Sequence, residues 1–288
     1  PIYNWREGAE NHTEGKEGAF LDRRKAAMQA YFEWMPVRAT NPSEQGHLYR
    51  SLTFGDLVEL TMMDLRTYRD EQVRFGPRKM AAEGRTMLGS EQYNWLLNKI
   101  ETSSAKWNML GNSVMFSPMN LATLQQDDKT KPVSSSLSSN ITGIPVNGDQ
   151  WDGYSAERRL LIDALSKHDS HTLFVTGDIH SEWAHNISKD GRVFGAEMVC
   201  SSVSAPNVNE QLKLPEGNEL SKLAERYLLG ANPHTRHVDL DHHGYSYVTV
   251  RPDSAEMHWL RVDNLLTAKS SVREAVTMTW RPGEGYTT

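Results

Sequence analysis

Apolar and polar positions recur along this chain with two periods, and the switches between them mark its elements. Phe20, Leu21, Ala27, Met28, Tyr31, Phe32 and Met35 return every three or four residues, with Asp22, Arg23, Arg24 and Lys25 between them. That spacing predicts a helix over 18–35. Pro36 ends it and leaves Arg38 on a loop just past a helix, where a guanidinium either meets an anion or is simply solvated. Residues 48–54 alternate in part and predict a strand, Gly55-Asp56 a turn, and 57–64 a more buried strand. The second strand runs into Asp64-Leu65-Arg66, an acid and a base at a spacing that suits a structural pair better than catalysis. Ser90 as N-cap and Glu91 in the first turn start a helix to about Thr102, with Tyr93, Leu96, Leu97 and Ile100 on its apolar side. Residues 107–116 follow as a strand or hairpin.

Residues 125–150 are rich in Ser, Asp, Lys, Gly and Asn and predict a long flexible loop or lid. Ser155 then caps a helix over 156–167 with Leu160, Leu161, Ala164 and Leu165 as its buried stripe. A strand ending near Gly177 comes directly afterwards, another spans 192–199, and 219–229 is a short helix. Helix and strand alternate here as in α/β proteins. The C-terminal third changes character: residues 244–251 alternate like a half-exposed strand, Pro252-Asp253-Ser254 turns, and 255–262 answers as its partner. The segment 244–263 is therefore an antiparallel hairpin. No internal repeat is present.

Composition narrows the picture. With 288 residues, 38% of them apolar, and eight tryptophans, the chain can bury a sizeable core. A net charge of −6 argues against nucleic acid as a partner, because a phosphate backbone demands clustered Lys and Arg. No apolar run reaches the roughly 20 residues needed to span a bilayer, and no signal-peptide pattern is read. The single cysteine, Cys200, reads as a small buried residue. The chain begins at Pro1, and the segment 5–12 reads like the interior of a longer protein.

The chemistry concentrates at 171–181, where an apolar run ends in Gly177-Asp178-Ile179-His180. The glycine lets the backbone turn tightly. Asp178 and His180 are two apart and point the same way if strand geometry persists. A carboxylate and a neutral imidazole are good ligands for Zn, Fe or Mn, which activate water for hydrolysis. Equally, Asp178 can cap a turn and His180 can be a satisfied polar residue at a strand end. Two ligands fall short of the three that catalytic metals use.

Eight phrases then carry a resemblance. They are Gly-Ala-Glu-Asn-His at 8–12, Trp-Met-Pro-Val-Arg at 34–38, Asp-Leu-Arg-Thr-Tyr-Arg at 64–69 and Arg-Thr-Met-Leu-Gly-Ser-Glu-Gln at 85–92. Trp-Asp-Gly-Tyr at 151–154, Thr-Gly-Asp-Ile-His-Ser at 176–181, Asn-Pro-His at 232–234 and His-Gly-Tyr at 243–245 complete the set. In this order they resemble the PhoD-type alkaline phosphatases, a family that includes a phosphodiesterase with phospholipase D activity. The resemblance implies a metallophosphoesterase core, with two β-sheets sandwiched between helices. It implies hydrolysis of phosphate monoesters or diesters at a cluster of iron and calcium, with other divalent metals as the alternative. Asp178 and His180 fall in the segment that supplies late metal ligands, and Arg38 falls where an arginine faces the substrate phosphate. His180 is left as either a ligand or the acid that protonates the leaving oxygen. Asp178 suits ligation, because a carboxylate can bridge two cations. Asn11, His12, Trp183 and His234 lie in matching phrases and take no role from them.

The departure is at the N-terminus. The family's first metal ligands, an aspartate, a cysteine and a Trp-Asp-Asp-His-Glu segment, precede the phrase at 8–12 and are not found in this sequence. Cys200 is in the wrong place to replace the cysteine, and Asn4 is unassigned. The whole span 1–288 thus reads as the C-terminal portion of a metallophosphatase catalytic domain, served by a complementary N-terminal segment or chain. Its partner is a small phosphoester, and the resemblance implies a periplasmic or extracellular location. A catalytically incomplete fragment or binding module is the second reading. A metal-dependent nuclease is a third, which the lack of a basic stripe disfavours.

Overall fold

The computed structural model describes residues 4–38, 46–74, 76–123, 143–145 and 147–287. Two short antiparallel pairs, β1 (Asn4–Trp5) with β2 (Gly8–Ala9) and β6 (Asn120–Thr123) with β7 (Gly143–Pro145), stand outside the two main sheets. The larger sheet is built from β3 (Arg50–Phe54), β4 (Val58–Met62), β5 (Trp107–Asn112), β8 (His171–Thr176), β9 (Glu182–Lys189), β10 (Arg192–Val199) and β11 (Thr235–Asp239). Its order is β11-β9-β10-β8-β5-β4-β3. The four central strands are parallel, and the edges are closed by antiparallel β3, β9 and β11. Strands covered on both faces read as apolar runs rather than alternating ones, and β5 is buried along its whole length.

The second sheet is wholly antiparallel: β12 (Gly244–Arg251), β13 (Ser254–Val262), β14 (Val272–Arg281) and β15 (Gly285–Thr287). The hairpin read at 244–263 is its first two strands. The sheets pack face to face, with Trp107, Leu173 and Met198 of one against Met257, Trp259 and Trp280 of the other. The Trp107 and Trp280 rings meet edge to face at 5.6 Å, and the Trp107 indole N–H donates to the Arg251 carbonyl at 2.7 Å. Helices Gly89–Thr102 and Ser155–Leu165 cover the opposite face of the larger sheet through Leu96, Ile100, Leu161 and Leu165. This is the mixed α/β sandwich that the family resemblance implies. No helix among the described residues is long and apolar enough to cross a membrane.

Several local expectations need correction. Neither Ser90 nor Ser155 is an N-cap. The helices begin earlier than read, by two residues at Gly89 and by one at Ser155, and neither N-cap residue, Leu88 or Tyr154, makes a side-chain capping hydrogen bond. The first helix is instead met by a carboxylate from the second: Glu157 accepts the N–H groups of Met87 at 2.6 Å and Leu88 at 3.2 Å. Helix Phe20–Trp34 forms as its period predicts, yet only Phe20 is buried, while Leu21, Trp34 and Met35 are exposed. Of the loop read at 125–150, residues 125–142 and 146 lie outside the described residues. Among the described ones, Gly143–Pro145 is a strand, and 147–150 forms a turn that enters the site.

Candidate functional site

Parallel strands deliver their following loops to one edge of a sheet, and such edges are where α/β proteins place ligands. Here register sets Met62 beside Gly111, Asn112 beside Thr176, and Thr176 beside Val199. The loops after β4, β5, β8 and β10 therefore emerge together. Arg66 rides on the first, Asp178 and His180 on the third, and Cys200 opens the fourth.

A buried carboxylate knits these exits. Glu197, on β10, accepts from the Phe116 N–H and Ser117 N–H, each at 2.7 Å, and from the Thr176 hydroxyl at 2.8 Å. Burial raises its pKa above the usual glutamate value. All three partners are donors, so both carboxylate oxygens must accept. Glu197→Gln would turn an NH₂ group against an N–H donor, and about 1–3 kcal/mol of destabilisation is expected in urea unfolding. Unchanged stability would show that the site loops do not depend on this tie.

Asp178 and His180 do not continue the strand. β8 ends at Thr176, and both residues take left-handed backbone angles, with φ of 75° and 56°. The expectation that strand alternation aligns them is therefore wrong. They share the loop through a turn that only Gly, Asn, Asp and similar residues enter cheaply, and such angles gather at functional sites. His180 Nδ1 lies 2.8 Å from the Pro206 carbonyl. A carbonyl can only accept, so Nδ1 carries a proton and Nε2 is the nitrogen that holds the lone pair in the neutral ring. Burial and the nearby Asp149 raise the Asp178 pKa, with Arg66 pulling the other way.

Arg66 does not pair with Asp64, contrary to the reading of that motif. Asp64 accepts the backbone N–H groups of Arg66 and Thr67 at 3.0 and 2.9 Å, which closes the turn after β4. That turn aims the Arg66 side chain along the sheet edge. Its Nη1 meets both Asp149 oxygens at 2.7 and 2.8 Å, and its Nη2 stands 3.3 Å from Asp178 Oδ1. Asp149 is gripped in turn by Arg69, which is fully buried: Nη2 reaches its carboxylate at 2.7 Å and Nη1 its carbonyl at 2.8 Å. Gly148 permits this approach, since a Cβ there would stand 1.8 Å from the Val73 carbonyl oxygen. Arg69 and Arg66 both lie in the phrase at 64–69, but only the fold shows that they converge on a residue some 80 positions away.

Arg38 is exposed on its loop and makes no hydrogen bond or ion pair among the described residues. It is not among the partners of Asp178 or His180. His234 donates Nε2–H to the Pro118 carbonyl at 2.9 Å, and burial lowers its pKa to about 4. Trp183 is buried with its N–H on the Ser181 hydroxyl at 2.7 Å. Both of these serve the packing.

A carboxylate and an imidazole with a free Nε2 suit a hard or borderline cation. They are two, however, and no group of three or more His, Cys, Asp or Glu able to hold an ion occurs among the described residues. The described residues thus supply part of a coordination shell and do not complete one.

Comparison with known proteins bears on this geometry. The family model described as PhoD-like phosphatase matches residues 2–259. Alkaline phosphatase D of Bacillus subtilis (strain 168) is 34% identical over 250 residues, covering 81% of this chain and 38% of that protein. A solved structure titled Structure of PhoD superimposes with a TM-score of 0.78 at 24% identity, over 99% of this chain and 52% of that one. The chain thus spans well under two thirds of both relatives.

Proposed function

The chain belongs to the PhoD-like phosphatase family, and on that premise we propose that it carries part of the active site of a metal-dependent phosphoric ester hydrolase acting on small phosphate monoesters or diesters. The observation that carries the reading is the pair Asp178 and His180 on one left-handed loop, at the edge where four parallel strands end. His180 presents the lone pair of Nε2, because its other nitrogen is tied to Pro206. That tautomer favours ligation or proton acceptance over proton donation. Asp178 brings negative charge to the same loop, and Arg38 is assigned to the substrate's non-bridging oxygens.

Iron and calcium are the ions the family resemblance implies, with other divalent cations as the alternative. Asp178 and His180 would hold one of them, and bound there it would supply Lewis-acid stabilisation and an acidified water. We assign the remaining donors to an N-terminal segment or complementary chain. By the same resemblance we place the protein outside the cytoplasm.

Turnover of p-nitrophenyl phosphate and bis-p-nitrophenyl phosphate, measured with metal content by mass spectrometry, tests the proposal. Hydrolysis of either ester with near-stoichiometric metal is expected when the site is complete. Neither metal nor turnover would move this chain to the second reading, a scaffold without the chemistry.

A further inference from the structure

We infer that Arg66 is a phosphate-binding residue of this site, and that the buried pair Arg69–Asp149 positions its guanidinium there. The inference rests on the hydrolase reading for the identity of the anion. Its physical basis is separate.

Arg66 is held from one side only. One nitrogen, Nη1, straddles the Asp149 carboxylate. The other, Nη2, makes the longer contact of 3.3 Å to Asp178. The Nε–H and the second N–H of Nη2 have no partner among the described residues. Nε and Nη2 line one edge of the fork, the kind of edge with which a guanidinium grips two oxygens of a phosphate. The side chain is 25% exposed, and its exposed contact is the one from Nη2, while those from Nη1 are part-buried.

What holds it is rigid. Asp149 answers to Arg69, which is 0% exposed, through both its carboxylate and its carbonyl. The Asp149 N–H donates to Asn147 Oδ1 at 3.1 Å. A planar group pinned this way loses little further freedom on binding, which is the condition for a preorganised anion clamp. Two guanidinium groups face two carboxylates, Asp149 and Asp178, and the contact between Nη2 and Asp178 is the weakest of the set. An anion taken on the Nε–Nη2 edge therefore disturbs at most that contact.

The test uses the chain as it stands, with inorganic phosphate as the probe, followed by calorimetry and ³¹P NMR. Arg66→Ala is expected to weaken phosphate binding roughly 10- to 100-fold, the loss of a charge-assisted pair of hydrogen bonds. Arg66→Lys keeps the charge without the fork and should recover only part of the loss. Asp149→Asn should weaken binding less, about 3- to 10-fold, by loosening the guanidinium. Thermal melting of each variant guards against unfolding, and the lysine variant keeps the test open where alanine unfolds the loop. Unchanged phosphate affinity in both Arg66 variants overturns the inference, and so does a wild-type chain that binds no phosphate. If phosphate binding depends on Arg66 while neither ester is hydrolysed, the hydrolase reading fails and the anion site stands. If ester turnover depends on Asp178 while phosphate ignores Arg66, the reverse holds.

Discussion

Asp178→Asn should lower ester turnover by at least about 10³-fold, equivalent to about 4 kcal/mol of transition-state stabilisation, while leaving the melting temperature unchanged or slightly raised. Asparagine has the shape of aspartate and tolerates the left-handed angle at which Asp178 sits, with φ of 75°. Alanine there would add backbone strain and blur the result. The fold relies little on this carboxylate. Its ion pair is the 3.3 Å contact with Arg66, and its side chain is 39% exposed. Burial of its charge also raises its pKa, so folding gains nothing from ionising it. Activity lost with stability kept is the signature of a group retained for chemistry. Metal content measured on the same sample adds an independent reading, since a ligand's loss should empty the site it helps to form. Turnover within tenfold of wild type would remove Asp178 from the reaction.

The second large effect lies away from the site and concerns stability alone. Arg261, on β13, bridges the two sheets: Nε and Nη2 meet Glu182 of β9 at 3.1 and 2.7 Å, and Nη2 meets Asp239 of β11 at 3.0 Å. Glu182 is 1% exposed. Arg261→Ala strands two buried carboxylates, and about 3–5 kcal/mol of destabilisation is expected from breaking such a cluster. His237 and His242 flank the same acids, at 3.1 Å from Glu182 and 2.9 Å from Asp239, so some charge remains compensated.

The cluster also sets a pH signature. Hydrogen bonding to His242, with the Arg261 charge, holds Asp239 well below the usual carboxylate range, and the same bond raises His242. The Asp239 contribution is complete above its unfolded value of about 4 and is lost as pH falls toward its depressed folded value. The His242 contribution is complete below its unfolded value of about 6.5 and is lost as pH rises through its raised folded value. Stability from this pair therefore peaks between those two unfolded values. Removing Arg261 brings Asp239 nearer its unfolded value and narrows the acid-sensitive window. Urea midpoints between pH 3 and 8, at constant salt, would show it; an unshifted midpoint in the variant would mean that His242 and water already satisfy both acids.

The amino-acid sequence by itself determined the elements whose signal is local. The buried runs at β4, β5, β8 and β10, the three- and four-residue spacing of the covering helices, and the hairpin at 244–263 are read from period and turn chemistry, because those depend on near neighbours. It also determined the family, through eight short phrases in order, and the glycine, aspartate and histidine that end β8. Tertiary structure decided the rest. The N–H groups ahead of Gly89 are capped by Glu157, which comes from a different helix, and no local cap rule contains that. Strands β9 and β11 mix buried polar residues such as Glu182, His185 and Asp239 into their runs, and the period is masked because those groups find partners only across the sheet. Sequence spacing offers Asp64 as the local partner of Arg66. Its charge instead goes to Asp149 and Asp178, since the Asp64 carboxylate is drawn to the backbone N–H groups of its own turn. An ion pair between residues 66 and 178 is a product of sheet order, which brings strands distant in sequence to a common edge, and sequence spacing carries no record of that order.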